Sequence, residues 1–328
     1  MSSGRPASRS DPASTPLRIV FMGTPPLTAQ ILTRLLAAQG ARLRVVGVIT
    51  QPDQPRGRGL GMTPSAVATA AEAAGIAALK PAKIRTPEFL AQLTALAPDL
   101  IVVAAYGRIL PNPVLAAARL MPINVHASLL PSHRGAAPIE GAILAGDPET
   151  GVTIMRIIEQ VDAGPILLTR TIPIAPDETQ ATLKGKLAEL GAAALLEAIE
   201  GIARGELVGV PQDETLATYT RPIDKSAGLI DWRADAAQIE RMVRAYDPWP
   251  VARTTLRGEP LLIYRAAVSE GSAAAAPGEI IELAPAPAVR CGDGRLILLE
   301  VQAPGRKRMA AADFVRGRRI AVGERLGT

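Results

Sequence analysis

Leu17-Arg18-Ile19-Val20-Phe21-Met22-Gly23, followed at once by Thr24-Pro25-Pro26, decides the fold class. The run is short, apolar and closed by glycine, which is the pattern of a buried strand. Prolines directly after it suit the first turn of a helix, where no backbone N–H is needed. A helix over residues 26–38 and a second strand over residues 43–50 complete a strand-helix-strand unit of the length a right-handed parallel crossover needs. Further along, Leu100-Ile101-Val102-Val103-Ala104-Ala105 follows a helical stretch near residues 87–96, and Ile123-Asn124-Val125-His126 is again a short strand. Apolar runs of this kind belong to strands covered on both faces. The expectation is an α/β fold with a Rossmann-like, mostly parallel sheet of at least four strands.

Residues 151–158 and 166–174 alternate with β-branched residues and are expected to pair, and the Ala/Leu/Glu-rich stretch 182–203 reads as a closing helix. Residues 206–222 exchange that pattern for Gly, Pro and polar residues, as a linker does. From 223 to 328, short β-prone runs such as Leu261-Leu262-Ile263-Tyr264 and Leu296-Ile297-Leu298-Leu299 alternate with turns. That rhythm predicts a smaller C-terminal, OB-like β-barrel domain. Residues 272–287, rich in Ala and Pro, read as a loop insertion without function. Residues 1–16, rich in Ser, Pro, Ala and Arg, read as a disordered extension, so the first folded domain spans 17–205.

The 328 residues are enough for two domains of unequal size. Apolar residues make up 48% but aromatic ones only 3%, so the cores must be built from Ala, Val, Ile and Leu. A net charge of +5 and a pI near 9.6 are compatible with a polyanionic partner without requiring one. The single cysteine, Cys291, excludes an internal disulfide and a multi-cysteine zinc site, and no metal is expected. A reducing, cytoplasmic location fits that cysteine usage.

The two histidines, His126 and His133, both lie within ten residues of Asn124. Alternation along a strand puts Asn124 and His126 on one face while Val125 points to the other. An amide and an imidazole at the end of a buried strand cost desolvation unless they are hydrogen-bonded or used, and strand ends are where ligands bind in open α/β sheets. From the residues alone two readings stand: a turn cap with a satisfied core histidine, or a catalytic pair. Gly23-Thr24-Pro25-Pro26 lacks the spaced glycines of a dinucleotide loop, which sets that use aside.

Asn124-Val125-His126-Ala127-Ser128-Leu129-Leu130-Pro131, continuing through Arg134-Gly135-Ala136-Ala137-Pro138-Ile139, resembles the signature of the folate-dependent formyltransferases. Gly151-Val152-Thr153-Ile154-Met155 and Val161-Asp162-Ala163-Gly164 stand at that family's spacing. Gly23-Thr24-Pro25, Gln51-Pro52-Asp53, Gly57-Arg58-Gly59, Ala105-Tyr106-Gly107, Ile230-Asp231-Trp232, Pro248-Trp249-Pro250 and Ala276-Pro277-Gly278 extend the resemblance over nearly everything after residue 16.

The resemblance implies transfer of a formyl group from 10-formyltetrahydrofolate to an amine, the co-substrates being that folate and methionyl initiator tRNA. It implies that Asn124 and His126 donate to the developing oxyanion, that Asp162 orients His126 and holds a proton-relaying water, and that no covalent intermediate forms. Ser128, Leu129, Leu130 and Pro131 would line the folate site, with Tyr106, Gly107, Arg108, Ile109 and Leu110 supplying backbone contacts. The loop 51–62 would enter the acceptor-stem region with Arg56 and Arg58 as its charges, although Leu60 and Gly61 stand where family members often carry lysines. His133 replaces a bulkier aromatic common at its position.

Residues 306–325 hold seven cations, including Arg306, Lys307 and Arg308, against Asp313 and Glu324. Such a cluster can follow a phosphate backbone, or be a solvated charged tail. A monomer is expected. Formylation of an amino sugar nucleotide, or noncatalytic RNA binding by a retained formyltransferase-like domain, are the alternative readings.

Overall fold

The structure, a computed structural model, describes residues 15–56, 61–271 and 274–327. The expected N-terminal extension, apart from Thr15 and Pro16, lies outside the described residues. The chain groups into two compact units. One comprises Met1–Leu130, Val152–Arg170 and Ala188–Glu214, and the other Pro131–Gly151, Thr171–Leu187 and Thr215–Thr328.

The chain opens with β1 (Leu17–Gly23), α1 (Pro26–Ala37) and β2 (Leu43–Ile49), then a short hairpin of β3 (Gln54–Arg56) and β4 (Gly61–Thr63). Next come α2 (Ala66–Ala73), β5 (Ala78–Leu79), α3 (Pro87–Ala95), β6 (Leu100–Ala104), α4 (Asn112–Leu115) and β7 (Met121–His126). They are followed by β8 (Arg134–Gly135), α5 (Pro138–Ala145), β9 (Glu149–Arg156), β10 (Ile166–Pro173) and the long helix α6 (Gln180–Ala203). The sheet has seven strands in the order β10-β9-β7-β6-β1-β2-β5. β1, β2, β5, β6 and β7 run parallel, and β9 pairs antiparallel with β7.

The opening motif behaves as its residues dictate. Ile19, Val20, Phe21 and Met22 are fully buried in a strand flanked on both sides, and α1 begins with Pro25 as its cap and Pro26 in its first turn. That helix buries Thr28, Ile31, Leu32 and Leu35, the spacing of one face. Each of its apolar side chains contributes about 1.5–3 kcal/mol by leaving water. From β1 the chain builds outward through β2 and β5 to one side, and β6 and β7 then extend the other. The strand order therefore reverses between β1 and β6, and the loops at their carboxyl ends part there.

In the second unit, β11 (Tyr219–Thr220) pairs in parallel with β8. After α7 (Ala236–Ala245) come β12 (Ala252–Leu256), β13 (Glu259–Ser269), β14 (Ile280–Glu282), β15 (Ala288–Arg290), β16 (Arg295–Gln302), β17 (Met309–Ala310) and α8 (Ala311–Arg318). The hydrogen-bonded path is β12-β13-β16-β15-β14, with β17 on β16, and its pairings are antiparallel.

Among the described residues the strand ladders do not close into the expected barrel. The two edges are instead tied by one irregular segment. Leu326 bridges Leu256, the last residue of β12, while its N–H donates to Gly278 O at 2.8 Å, and Ile280 N at the start of β14 donates to Glu324 O at 2.8 Å. The loop insertion expected over residues 272–287 is also corrected. β14 lies inside it, with Ile280 buried in the core, because Gly278 and Glu279 continue the backbone pairing to Arg290. No helix among the described residues is long and apolar enough to cross a membrane.

Cys291 is fully buried in this second core, and burial pushes its thiol up from 9.0 to about 11. Folded chain should resist a thiol probe at pH 8 and react fully in urea. Because the folded state holds the thiol proton more tightly, stability should be whole below pH 9. It should fall by up to about 2–3 kcal/mol as pH rises toward 11, measurable by urea unfolding.

Candidate active site

Asn124 and His126 occupy the carboxyl end of β7, where Asn124 stands opposite Val103 of β6 and Met155 of β9, and His126 opposite Thr153. The predicted two-residue spacing holds. His126 is 5% exposed, Asn124 is half-buried and Val125 packs away from them in the core.

Asp162, on the connection between β9 and β10, reaches both. Its Oδ2 lies 3.6 Å from His126 Nδ1, and Asn124 Nδ2 donates to its Oδ1 at 3.4 Å. The His126 and Asp162 side chains are only 6% and 13% exposed, so their attraction is weakly screened. Asp162 adopts a left-handed backbone with φ of 52°, a conformation that costs about 1 kcal/mol or more outside glycine.

Two features hold that turn. The first is local: Arg156 N donates to Pro165 O at 2.9 Å, and Gly164 passes so close to the Arg156 carbonyl that any Cβ would overlap it. The second comes from a distant stretch of chain. The Gln212 side-chain amide donates to Asp162 O at 2.9 Å and to Gly164 O at 2.8 Å, while Val210 exchanges two 2.8 Å backbone bonds with Ile166. A single glutamine in a Gly/Pro-rich stretch carries no periodic signal, so only the fold reveals it.

The segments expected to meet folate follow the ends of the neighbouring strands β6 and β7. Thr153 Oγ1 donates to Ser128 O at 2.7 Å and accepts from Leu130 N at 3.1 Å, which fixes the backbone around half-buried Leu129. Pro131 groups with the second unit, where its carbonyl accepts from Thr218 N. The Tyr106 side chain packs into the sheet core, its hydroxyl without a hydrogen-bond partner among the described residues, and burial raises its pKa.

The Tyr106 carbonyl accepts from Gln51 Nε2 at 2.8 Å and Thr24 Oγ1 at 3.2 Å, linking the loops on both sides of the switch point. Gly107 has φ of 79° and Gln51 Nε2 lies where its Cβ would be. Arg108 donates to the carbonyls of Pro81 and Ala82, Leu110 is buried, and Ile109 is 64% exposed. This cross-linked backbone with an exposed aliphatic side chain suits a flat, partly apolar ligand.

Of the expected phosphate contacts, Arg58 lies outside the described residues, and Arg56 ends β3. Arg306 and Lys307 are exposed with no carboxylate partner among the described residues. Arg308 differs: its guanidinium stacks 3.5 Å from the Tyr264 ring centroid and pairs with Asp247 at 3.1 Å. Arg316 pairs with Asp313 and Arg318 with Glu259, so part of the local positive excess is spent within the fold.

A family model described as formyl transferase matches residues 17–199, and one described as formyl transferase, C-terminal domain, matches residues 222–319. The chain belongs to the formyltransferase family. It is 48% identical over 313 residues to a methionyl-tRNA formyltransferase of Roseiflexus sp. (strain RS-1), covering 95% of this chain and 96% of that one. A methionyl-tRNA formyltransferase of Methylococcus capsulatus is 48% identical over 312 residues, covering 95% of this chain and all of its own.

Among solved structures, this formyltransferase resembles an N-formyltransferase from Helicobacter canadensis, in complex with folinic acid and dTDP-3-aminofucose. The TM-score is 0.63 at 16% identity, covering 88% of this chain and 99% of that one. HypX from Aquifex aeolicus in complex with tetrahydrofolic acid matches with a TM-score of 0.60 at 20% identity. That match covers 94% of this chain and 48% of HypX. At these identities the likeness is one of fold.

In this formyltransferase, Gly164→Ala should cost at least about 2 kcal/mol in urea unfolding, because the Arg156 carbonyl cannot yield without breaking its strand. Gln212→Leu should cost about 1–2 kcal/mol by loss of two bonds to part-buried carbonyls. A wild-type unfolding curve for either variant would remove that residue from the support of the Asp162 turn.

Proposed function

We propose that this chain transfers the formyl group of 10-formyltetrahydrofolate to the α-amino group of methionyl initiator tRNA, for translation initiation. The observation that carries the reading is the gathering of Asn124, His126 and Asp162 at the carboxyl end of β7, in a chain 48% identical to methionyl-tRNA formyltransferases over nearly its whole length. A cytoplasmic, monomeric protein completes it.

The amine nitrogen forms a bond to the formyl carbon, the carbon–N10 bond of the folate breaks, and the proton lost by the amine ends on N10. The tetrahedral stage puts negative charge on the formyl oxygen. The Asn124 amide carries two N–H bonds, of which one points to Asp162 Oδ1, leaving the other for that oxygen. His126, turned toward Asp162 through Nδ1, donates to the same oxygen in its imidazolium form, in which both ring nitrogens carry a proton. Fixed donors of this kind are worth about 3–4 kcal/mol each at the transition state.

Asp162 has two tasks. Its carboxylate holds the His126 ring and, 13% exposed, keeps an edge toward water that can relay the proton from amine to N10. Ser128 to Pro131 and Tyr106 to Leu110 form the folate side of the site, the pterin lying against apolar side chains and fixed backbone. Arg56, Arg58, Arg306, Lys307 and Arg308 attract the tRNA phosphates, Arg306 and Lys307 with greater freedom than Arg308, which is stacked and paired.

Purified protein supplied with 10-formyltetrahydrofolate should formylate methionyl initiator tRNA and leave free methionine and amino sugar nucleotides unchanged, as followed by acid-gel mobility and product chromatography. Transfer to the sugar alone would overturn the tRNA assignment. His126→Ala and Asp162→Ala should each lower kcat by about 100- to 1,000-fold with tRNA affinity retained. Wild-type turnover in either would remove that residue from the mechanism.

A further inference from the structure

The second unit contains a cavity of about 540 Å³, inside the size range of small-ligand sites. Ala137, Leu144 and Ile223 give it apolar surface, Tyr219 an aromatic one, and His133 and Asp147 a polar edge. The space is maintained by a glycine. A Cβ at Gly141 would come within 2.5 Å of Thr220 Cγ2 and 2.9 Å of His133 Nδ1.

The polar edge is built. His133 Nε2 and Asp147 Oδ2 are 2.6 Å apart, with side chains 13% and 35% exposed. The His133 backbone is left-handed at φ of 58°, and its N–H donates to Thr218 Oγ1 at 2.8 Å. Strain kept at a non-glycine residue beside a cavity is a recurrent mark of a ligand site.

Tyr219 is 66% exposed yet fixed. The fully buried Arg134 lies over the ring at 5.9 Å and donates to the tyrosine hydroxyl at 3.2 Å, while the Tyr219 backbone pairs with Arg134 in the β8–β11 ladder. Held from its inner side, the ring offers a face and needs a flat partner.

We propose that this cavity receives an unpaired nucleobase from the single-stranded 3′ end of the tRNA, stacked on Tyr219 with its polar edge toward His133 and Asp147. The inference rests on the tRNA reading above and adds to it a site made of neither the folate segments nor the cationic cluster. A thioether side chain would fill only a fraction of the volume and would leave the His133–Asp147 edge unused. A nucleobase supplies both a stacking face and hydrogen-bonding edges.

The test is equilibrium binding of two uncharged RNA stems copying the acceptor arm, one with the single-stranded 3′ end and one blunt. Wild type should bind the first more tightly. Tyr219→Ala should weaken that binding about tenfold and leave the blunt stem unchanged, which also reports an intact fold, and Tyr219→Phe should stay within about twofold of wild type.

Equal weakening of both stems, or no discrimination by wild type, overturns the inference while leaving the tRNA reading intact. Failure of wild type to bind either stem overturns both. Adenosine 5′-monophosphate bound by wild type and lost in Tyr219→Ala, with both stems unaffected, would give the cavity to a free nucleotide and overturn it too.

Discussion

A parallel sheet gathers polar groups and ligands where its strands end, and here the order of the polar groups at that end depends on one carboxylate. Asp162 touches Asn124 and His126 from a different part of the chain, and it can do so only because residues 162–165 turn back against the Arg156 carbonyl. The left-handed backbone at Asp162 is unfavourable by itself. The Arg156–Pro165 bond, the missing Cβ at Gly164 and the Gln212 amide together offset it. In the proposed reaction, rigidity of this kind matters because a donor misplaced by about 1 Å loses much of its value at a transition state.

The parts of the fold that are legible in the sequence are those with strong local signals. The opening strand and its prolines determine β1 and α1, and the apolar run at residues 100–104 determines β6. Two-residue alternation alone suffices to put Asn124 and His126 on one face. Short elements escape, because two residues such as Ala78 and Leu79 become a strand only when β2 lies beside them. The same holds for β14. Its three residues sit in an Ala- and Pro-rich stretch whose composition says loop, and only the pairing of Ile280 with Val289 makes them a strand.

The candidate site is legible unevenly for the same reason. Asn124 and His126 share a strand, so spacing joins them, whereas Asp162 needs the family resemblance and Gln212 needs the fold. The cationic stretch shows the reverse error. Counting residues 306–325 treats every arginine alike, yet Arg308 is stacked on Tyr264 and paired with Asp247, and Arg316 and Arg318 have their own carboxylates. Sequence reports charge. The fold decides how much of it faces outward with room to meet a phosphate.

The irregular segment around residues 324–327 has a thermodynamic consequence for the second unit. β12 and β14 stand at opposite ends of the strand order, yet each makes part of its outer hydrogen bonding with the same few residues. When that segment lifts away, both margins lose those bonds in one event, while β12 keeps its Ile230 N to Arg253 O bond. The amides of Ile280 and Gly327, which donate across it, therefore belong to a single opening unit in hydrogen exchange, although more than forty residues separate them in the chain.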